Sequence, residues 1–212
     1  MAALAFAAIG GGLVSGLLTD RSASWSRVFK VVASTSIIVI VLTGDPVFDG
    51  YAWLITAGLV ASWFGDLALS FTGQRSLLVG LAAFALTHGL YTAGFLTRSS
   101  MDLVAVAASG VIMALTAAAI LRWLTPHMPE HIRFPIAVYV GIISVMVVAS
   151  FGTSGTIPDP RIPTAAVLFA ISDVLVARNR FVVATLANRV AGLPTYFTAQ
   201  VLFAATVVIP WY

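Results

Sequence analysis

The sequence predicts an all-α polytopic membrane protein, a bundle of eight transmembrane helices that forms a single domain over residues 1–212. Hydrophobic residues make up 60% of the chain and charged residues only 9%, whereas a soluble domain carries about 25% charged residues. The mean hydropathy is +1.03. The links between the apolar segments are short, which favours a helical bundle, because in lipid each helix satisfies its own backbone polar groups.

Eight apolar segments are candidate spanning helices, each of which needs about 20 residues. Clusters of polar residues, Pro and Gly separate them. They cover residues 2–18, 29–43, 51–71, 76–96, 102–124, 134–151, 161–178 and 194–211. The first segment is as apolar as a signal peptide, but no Lys or Arg precedes it. We therefore expect it to be a helix of the bundle.

The basic residues predict the orientation of the bundle. Nine of the 11 lie in the links after the first, third, fifth and seventh segments: Arg21, Arg27, Lys30, Arg75, Arg122, Arg133, Arg178, Arg180 and Arg189. Lys and Arg concentrate in cytoplasmic loops. The pattern therefore predicts both termini outside the cytoplasm, in a multi-pass protein of a bacterial inner membrane. We assign the formal charge of +3 to these flanking residues and not to nucleic-acid binding.

Several familiar chemistries are excluded by missing residues or motifs. The chain has no cysteine, which excludes disulfides, thiolate nucleophiles and Cys-bound metals. It also lacks the H-E-x-x-H, G-x-S-x-G and Walker A motifs. His127 and His131 have helical i,i+4 spacing, but Pro126 and Pro129 interrupt any helix there. We interpret this segment as a turn and not as a metal site.

Ionisable residues lie inside two consecutive apolar segments, Asp66 in the third and His88 in the fourth. A charged side chain in hydrocarbon costs at least about 2.5–3.5 kcal/mol, so such residues usually have a function. Asp173, in the seventh segment, lies at the same depth as Asp66. Both are roughly 8 Å from the cytoplasmic end of their helix, at 1.5 Å per residue. The same half of the bundle holds four further polar candidates: Lys30, Tyr139, Tyr196 and Gln200. His88 and Tyr91 lie deeper, near or past the middle of the membrane. This arrangement predicts a cavity open towards the cytoplasm.

Each of these residues also has an ordinary structural explanation. A single Asp near a helix end can pair with an Arg, and a histidine on an apolar helix is more often a packing residue than a catalyst. Tyrosine and glutamine can make interhelical hydrogen bonds, worth roughly 0.6 kcal/mol each. Two carboxylates at one depth are harder to explain as packing, and they favour a functional site.

At these residues the sequence resembles the YhhN-like lysoplasmalogenase family of integral membrane hydrolases. The resemblance rests on four motifs in order, together with the eight helices: Gly65-Asp66, His88-x-x-Tyr91, Ser172-Asp173 and Tyr196-x-x-x-Gln200. Lys30 matches a lysine that the family tends to carry, although Val31 replaces the proline usual after it. The resemblance implies hydrolysis of the vinyl-ether bond of lysoplasmalogens, which releases a fatty aldehyde and glycerophospho-ethanolamine or -choline.

Vinyl-ether hydrolysis begins with protonation of the β-carbon, and water then attacks an oxocarbenium ion. The reaction needs a proton donor and a nearby anion, and two carboxyl groups in different environments supply such a pair in glycosidases. We expect Asp66 and Asp173 to share these roles and His88 to orient or deprotonate the water. Lys30 is expected to bind the phosphate, with further cations at the same surface: Arg178, Arg180 or Arg189. The expected ligands of the glycerol and intermediate oxygens are Tyr91, Tyr139, Tyr196 and Gln200.

Alternatives remain at this point. We expect no cofactor, but a metal held by Asp66, His88 and Asp173 is an alternative, although zinc sites usually contain more histidine. A transporter or a binding protein for a small amphiphile or lysolipid is the rival function. A transporter needs access from the outer side as well, which the one-sided polar set does not favour. The headgroup, the identity of the acid and the oligomeric state stay open.

Overall fold

The computed structural model describes residues 1–19, 22–98, 100–153 and 158–209. Within these ranges the chain is helical, without β-strands, and contains eight α-helices. In chain order they are α1 (Ala2–Leu18), α2 (Ala23–Thr43), α3 (Gly50–Leu69), α4 (Gln74–Arg98), α5 (Leu103–Leu124), α6 (Glu130–Gly152), α7 (Arg161–Ala177) and α8 (Leu186–Val208). Arg21 and the end of the eighth predicted segment lie outside the described residues.

Six of the eight helices are long and apolar enough to cross a membrane, namely α2 to α6 and α8. Helices α1 and α7 have 17 residues each. At 1.5 Å per residue they extend about 25 Å, somewhat less than the hydrocarbon thickness of about 30 Å. The helical class is thus confirmed, and the chain is a multi-pass integral membrane protein.

Three predicted helix starts were wrong. Helix α2 begins at Ala23 instead of 29, α6 at Glu130 instead of 134, and α8 at Leu186 instead of 194. The sequence criterion required apolar residues, whereas the first turns of a membrane helix can lie among polar groups outside the hydrocarbon. Lys30 and Arg189, placed in links or at a helix start by the sequence, therefore lie within α2 and α8.

The start of α8 illustrates the local reason. The Thr185 hydroxyl accepts a hydrogen bond from the backbone N–H of Asn188 at 3.2 Å and caps the helix. The helix then continues through Pro194, although proline removes one backbone hydrogen bond and is usually placed in the first turn. The predicted start at residue 194 assumed that Pro194 begins the helix. In the structure the turns on both sides of Pro194 are helical and pack against the bundle.

The links after α1, α3, α5 and α7 meet at one end of the bundle, which we call the basic end. The Arg27 guanidinium lies 5.3 Å from the centre of the Phe71 ring. Arg180 donates a hydrogen bond to the Gly73 carbonyl at 3.4 Å. These contacts join the links of three helix pairs, and they gather the basic side chains on one surface.

The opposite end is closed by a buried charge cluster. The fully buried Asp159 carboxylate accepts hydrogen bonds from Arg98 at 3.2 Å and from Arg161 at 2.8 Å. Arg161 also donates to the Ala205 carbonyl of α8 at 3.1 Å. The cluster ties α4, α7 and α8 together at this end.

Helix α1 packs closely on α8 through small residues. A Cβ atom at Gly12 would lie 2.3 Å from the ring of Phe197, and one at Gly16 would lie 3.1 Å from the backbone oxygen of Arg189. Small residues allow helices in membranes to approach in this way. The approach brings the first turns of α8, with Arg189, against the core of the bundle.

Candidate active site

Asp66 is surrounded by hydrogen-bond donors from two other helices. The carboxylate is only 2% exposed. Its Oδ1 lies 3.2 Å from the Lys30 ammonium of α2, and its Oδ2 accepts a hydrogen bond from the Tyr196 hydroxyl of α8 at 2.8 Å. The Ser34 hydroxyl of α2 also donates to Oδ2. Both oxygens of Asp66 therefore face hydrogen-bond donors, one of them charged.

A hydrogen-bond relay behind Asp66 determines the orientation of the Tyr196 hydroxyl. Gln200 accepts from the Tyr91 hydroxyl at 2.6 Å and donates to Ser62 at 2.7 Å and to Tyr196 at 3.2 Å. Ser62 uses its own proton on a carbonyl one turn earlier in α3, so it must accept from the Gln200 amide. Since Tyr196 also accepts from Gln200, its own proton is directed at Asp66.

Asp173 belongs to a second cluster, on α4, α6 and α7. The Tyr139 hydroxyl donates to Asp173 Oδ2 at 2.6 Å. His88 Nε2 lies 3.0 Å from the Tyr139 oxygen and 3.4 Å from Asp173 Oδ2. The His88 ring is fully buried, and its Nδ1 atom has no hydrogen-bond partner among the described residues. The Asp173 side chain is 21% exposed, so it is the more accessible of the two carboxyl groups.

An aromatic wall, formed by Phe84, Phe169 and Tyr196, separates the two clusters. The Phe169 ring centre lies 4.7 Å from that of His88 and 5.2 Å from that of Tyr196. Phe84 packs edge-on against both wall partners. A Cβ atom at Gly65 would lie 2.7 Å from the Phe84 ring. The glycine that precedes Asp66 is therefore required by this close approach of α4 to α3.

The main cavity, of about 390 Å³, brings the two clusters to one surface. Its size is within the usual range of ligand pockets. The polar residues of its wall include members of both clusters: Lys30, Asp66, Tyr139, Asp173 and Tyr196. Most of the remaining wall is apolar and comes from α4, α5, α6 and α7. The three other predicted site residues are buried and do not line the cavity: His88, Tyr91 and Gln200.

A smaller cavity of about 220 Å³ adjoins the main cavity at the basic end. We call it the cationic cavity, because Lys30, Arg180 and Arg189 line it and none of its described lining residues is acidic. Lys30 and Arg180 also line the main cavity, so the two spaces share a boundary. Arg178 is not part of this wall and instead binds Asn188. The arrangement can bind an anionic group beside a long apolar space.

Residues 25–207 match the family model described as the YhhN family, and this range contains every residue of both clusters. The chain belongs to the YhhN family. It is 29% identical to Lysoplasmalogenase TMEM86A of Bos taurus over 160 aligned residues. The aligned region covers 73% of this chain and 65% of that protein. It is 33% identical over 129 residues to the uncharacterized membrane protein YhhN of Escherichia coli O157:H7, which covers 60% of this chain and 59% of that protein.

A longer match is to Lysoplasmalogenase TMEM86B of Sus scrofa, 27% identical over 194 residues, or 90% of this YhhN-family chain and 79% of that relative. For several other relatives, among them those from Bos taurus and Escherichia coli, the match covers less than two thirds of the relative's length. No solved structure matches it. The resemblance predicted from the four motifs is confirmed at the level of the family.

The YhhN-family site does not assemble the metal ligands considered from the sequence. In the described part of the chain, no three His, Asp or Glu side chains are close enough to hold a metal ion. His88 and Asp173 meet, but Asp66 lies on the other side of the aromatic wall. His127 ends a 3₁₀ turn after α5, and His131 lies in the first turn of α6.

Two serines of this YhhN-family site, Ser34 and Ser62, could not be identified from the sequence. Each lies one helical turn from a residue that was identified, Ser34 after Lys30 and Ser62 before Asp66. Residues four apart share a helix face. That spacing was the available signal, but serine is too common in membrane helices to be singled out without knowledge of its partner.

Proposed function

We propose that the chain is a lysoplasmalogenase-like hydrolase, which cleaves the vinyl-ether bond of lysoplasmenyl-ethanolamine or -choline to a fatty aldehyde and the glycerophospho-amine. The observation that carries this proposal is the junction of the two cavities: an apolar space lined by two carboxyl groups adjoins a smaller one lined by cations. A single-chain phospholipid has the same division. The names of the relatives from Bos taurus and Sus scrofa support the same reaction.

In this proposal the phosphate binds in the cationic cavity, beside Lys30, Arg180 and Arg189, and the hydrocarbon chain lies in the main cavity. Lys30 belongs to both sites, since its ammonium lies 3.2 Å from Asp66 and lines both cavities. When the phosphate binds Lys30, part of the lysine charge is neutralised by the lipid. The negative charge of Asp66 then becomes available to stabilise a positive charge on the substrate.

Asp66 is the anion of the proposed mechanism. Its oxygens face Lys30, Tyr196 and Ser34, all of them donors. A proton on Asp66 would have to replace one of these interactions and would lie beside an ammonium group. In this proposal these donors stabilise the Asp66 carboxylate, and the carboxylate stabilises the oxocarbenium ion as it forms.

Asp173 is the proton donor. Its Oδ2 accepts from Tyr139, which leaves Oδ1 to carry the proton that moves to the β-carbon. The resulting carboxylate is stabilised by Tyr139 and by the N–H of His88 Nε2. Water then adds to the oxocarbenium carbon and returns a proton to Asp173, and the hemiacetal collapses to an aldehyde and a glycerol hydroxyl. Positioned behind Tyr139, His88 acts on Asp173 instead of on the water. No cofactor takes part.

Aldehyde release by the purified protein tests this proposal. We expect Asp173→Asn to lower kcat by about 10²- to 10⁴-fold, the usual contribution of general acid–base catalysis. We expect Asp66→Asn to lower kcat by about 10²- to 10³-fold, the usual loss when one group that stabilises charge in the transition state is removed. Asp45→Asn is the matched control, because Asp45 is exposed and asparagine tolerates its positive φ of 54°. Wild-type levels of aldehyde from both variants would contradict the mechanism, and no aldehyde from either lysoplasmenyl lipid would contradict the function.

Proton-gradient-dependent uptake into proteoliposomes would instead support a transporter. A metal chelator should leave the rate unchanged.

We also propose that all eight helices span the inner membrane of a bacterium, with both termini outside and the basic end in the cytoplasm. The collection of cations at one end supports this orientation. The chain has no cysteine, so single cysteines report sidedness directly. An impermeant maleimide added to spheroplasts should label Asp45→Cys and leave Gln74→Cys unlabelled. The reverse pattern would overturn the orientation.

A further inference from the structure

Helix α5 lies at the edge of the bundle, and in the described part of the chain its main packing partner is α6. Between Ser109 and Leu124, no residue of the described helix is buried. Large apolar side chains project from its outer face: Leu103, Val104, Val111, Ile112 and Leu115. In a bilayer this face contacts lipid, so any gap beside α5 opens into the membrane.

Such a gap lies between α5 and α7. Both helices line the main cavity, with Thr116 and Ala117 on one side and Ala170 and Ile171 on the other. Among the described residues the two helices are at most loosely packed against each other, although each packs on α6. Thr116 is exposed and Ile171 is 47% exposed, while both belong to the cavity wall. The cavity therefore reaches the surface between them.

The gap is closed towards the basic end by a second hydrophobic cluster. Leu124, Met128 and Ile132 are buried there and pack against Phe181 and Val182 of the turn that follows α7. This apolar plug joins the end of α5 to the end of α7. Among the described residues, this plug covers the part of the gap between the two helices that is nearest the basic end.

The depth of the opening places it among lipid chains. Thr116 precedes the end of α5 at Leu124 by eight residues, and Ile171 precedes the end of α7 at Ala177 by six. At 1.5 Å per residue these positions are about 12 Å and about 9 Å below the helix ends. The rims of the opening are therefore at the level of the acyl chains and not of the headgroups.

We propose that this opening, between Thr116–Ala117 and Ala170–Ile171, is a lateral window through which the hydrocarbon chain of the lysophospholipid enters from the bilayer. The inference rests on the proposed function. The cationic cavity holds the phosphate at the membrane surface, while the chain passes sideways between α5 and α7 without contact with water. The fatty aldehyde, which has lost its polar headgroup, leaves into the bilayer by the same route.

The cysteine-free chain allows a reversible block of the window. Thr116→Cys is modified with a bulky apolar methanethiosulfonate, and Leu115→Cys is the matched control. Leu115 immediately precedes Thr116 in the same helix, is 69% exposed and does not line the cavity. Two substrates are compared: a long-chain lysoplasmenyl-choline in vesicles, and a water-soluble analogue with the same glycerophosphocholine vinyl ether but a very short chain.

We expect modified Thr116→Cys to lose at least tenfold in turnover of the long-chain lipid and less than twofold with the short analogue. Dithiothreitol should restore the rate, and modified Leu115→Cys should retain it. An unchanged rate for the long-chain lipid, or an equal loss with both substrates, would overturn the window. Ala117→Cys repeats the test if Thr116→Cys is unstable.

A second measurement does not require turnover. A lysophosphatidylcholine with a diazirine near the end of its chain is added to wild-type protein in vesicles and irradiated. Labels on residues 113–120 and 167–176 support the window, and labels confined to other segments contradict it. If no aldehyde is released from any substrate, the proposed reaction fails, and this experiment still decides whether a lysolipid chain occupies the gap.

Discussion

The different roles that we propose for Asp66 and Asp173 rest on their immediate partners. Asp66 faces an ammonium and two hydroxyl donors and is buried. Asp173 has one hydroxyl donor and a neighbouring histidine, and its side chain is partly exposed. Both are carboxyl groups on similar apolar helices, so only the donor count and the exposure separate an anion from an acid.

Removal of the Lys30 charge should destabilise the protein more than removal of the whole ion pair. Lys30→Met leaves the buried Asp66 carboxylate without its cation, which typically costs about 3–5 kcal/mol. The double variant Lys30→Met/Asp66→Asn should recover most of the thermal stability in detergent but not the activity. A double variant as unstable as Lys30→Met would show that the ion pair is not the reason for the loss.

Gln200 should behave as a positioning residue. Gln200→Leu leaves the Tyr91 hydroxyl without its acceptor, and an unsatisfied buried group costs about 1–3 kcal/mol. We expect Tyr91→Phe/Gln200→Leu to be more stable than the sum of the single changes predicts. Turnover should still fall in the double variant, with little change in KM, since Tyr196 is no longer oriented towards Asp66. Strict additivity of the stability changes would contradict the relay.

At the scale of helices, the contact of α3 with α4 determines the wall between the two clusters. The Phe84 ring occupies the space above Gly65, and the same ring packs on Phe169 and Tyr196. The shape of the main cavity therefore depends on a glycine that takes no part in the chemistry.

Gly65→Ala should disturb this packing. The added Cβ would lie 2.7 Å from the Phe84 ring, and overpacking of a core typically costs about 1–3 kcal/mol. We expect a lower melting temperature in detergent and reduced turnover. Gly65→Ala/Phe84→Leu should regain stability, because the smaller side chain vacates the space. Gly89→Ala is the control, since nothing lies within 4 Å of a Cβ at that position.

At the scale of the whole molecule, the two ends of the bundle differ. The basic end holds a cationic cavity that adjoins the main cavity. The opposite end is held by Asp159 and the two arginines that bind it. A bundle open on one side suits a reaction on a lipid of one leaflet better than passage across the membrane.

The closed end should contribute to stability and not to turnover. Asp159→Asn leaves Arg98 and Arg161 without their buried counterion, and a loss of about 3–5 kcal/mol is expected. The fraction that remains folded should keep its kcat within about twofold, because the cluster lies at the opposite end of the bundle from the two carboxyl groups that we propose to be catalytic. A large fall in kcat with unchanged stability would show that this end takes part in the reaction.

Much of the molecule could be predicted from the chain alone, because the signals are local. Apolar length and composition determine the helices, and an isolated Asp or His in such a segment stands out whatever its partners are. The three early helix starts were missed, since capping and packing hold polar turns such as Thr185–Asn188 in a helix that hydropathy does not detect.

The sequence by itself determined the membrane class, the number of helices and the short set of polar residues that merit attention. Only the tertiary structure decided that Asp66 pairs with Lys30 while Asp173 joins His88, that Ser34 and Ser62 belong to the network, and that α5 and α7 line one cavity. Hydropathy records how apolar a helix is, but its rotation and its neighbours depend on contacts between residues far apart in the chain, such as Gly12 with Phe197.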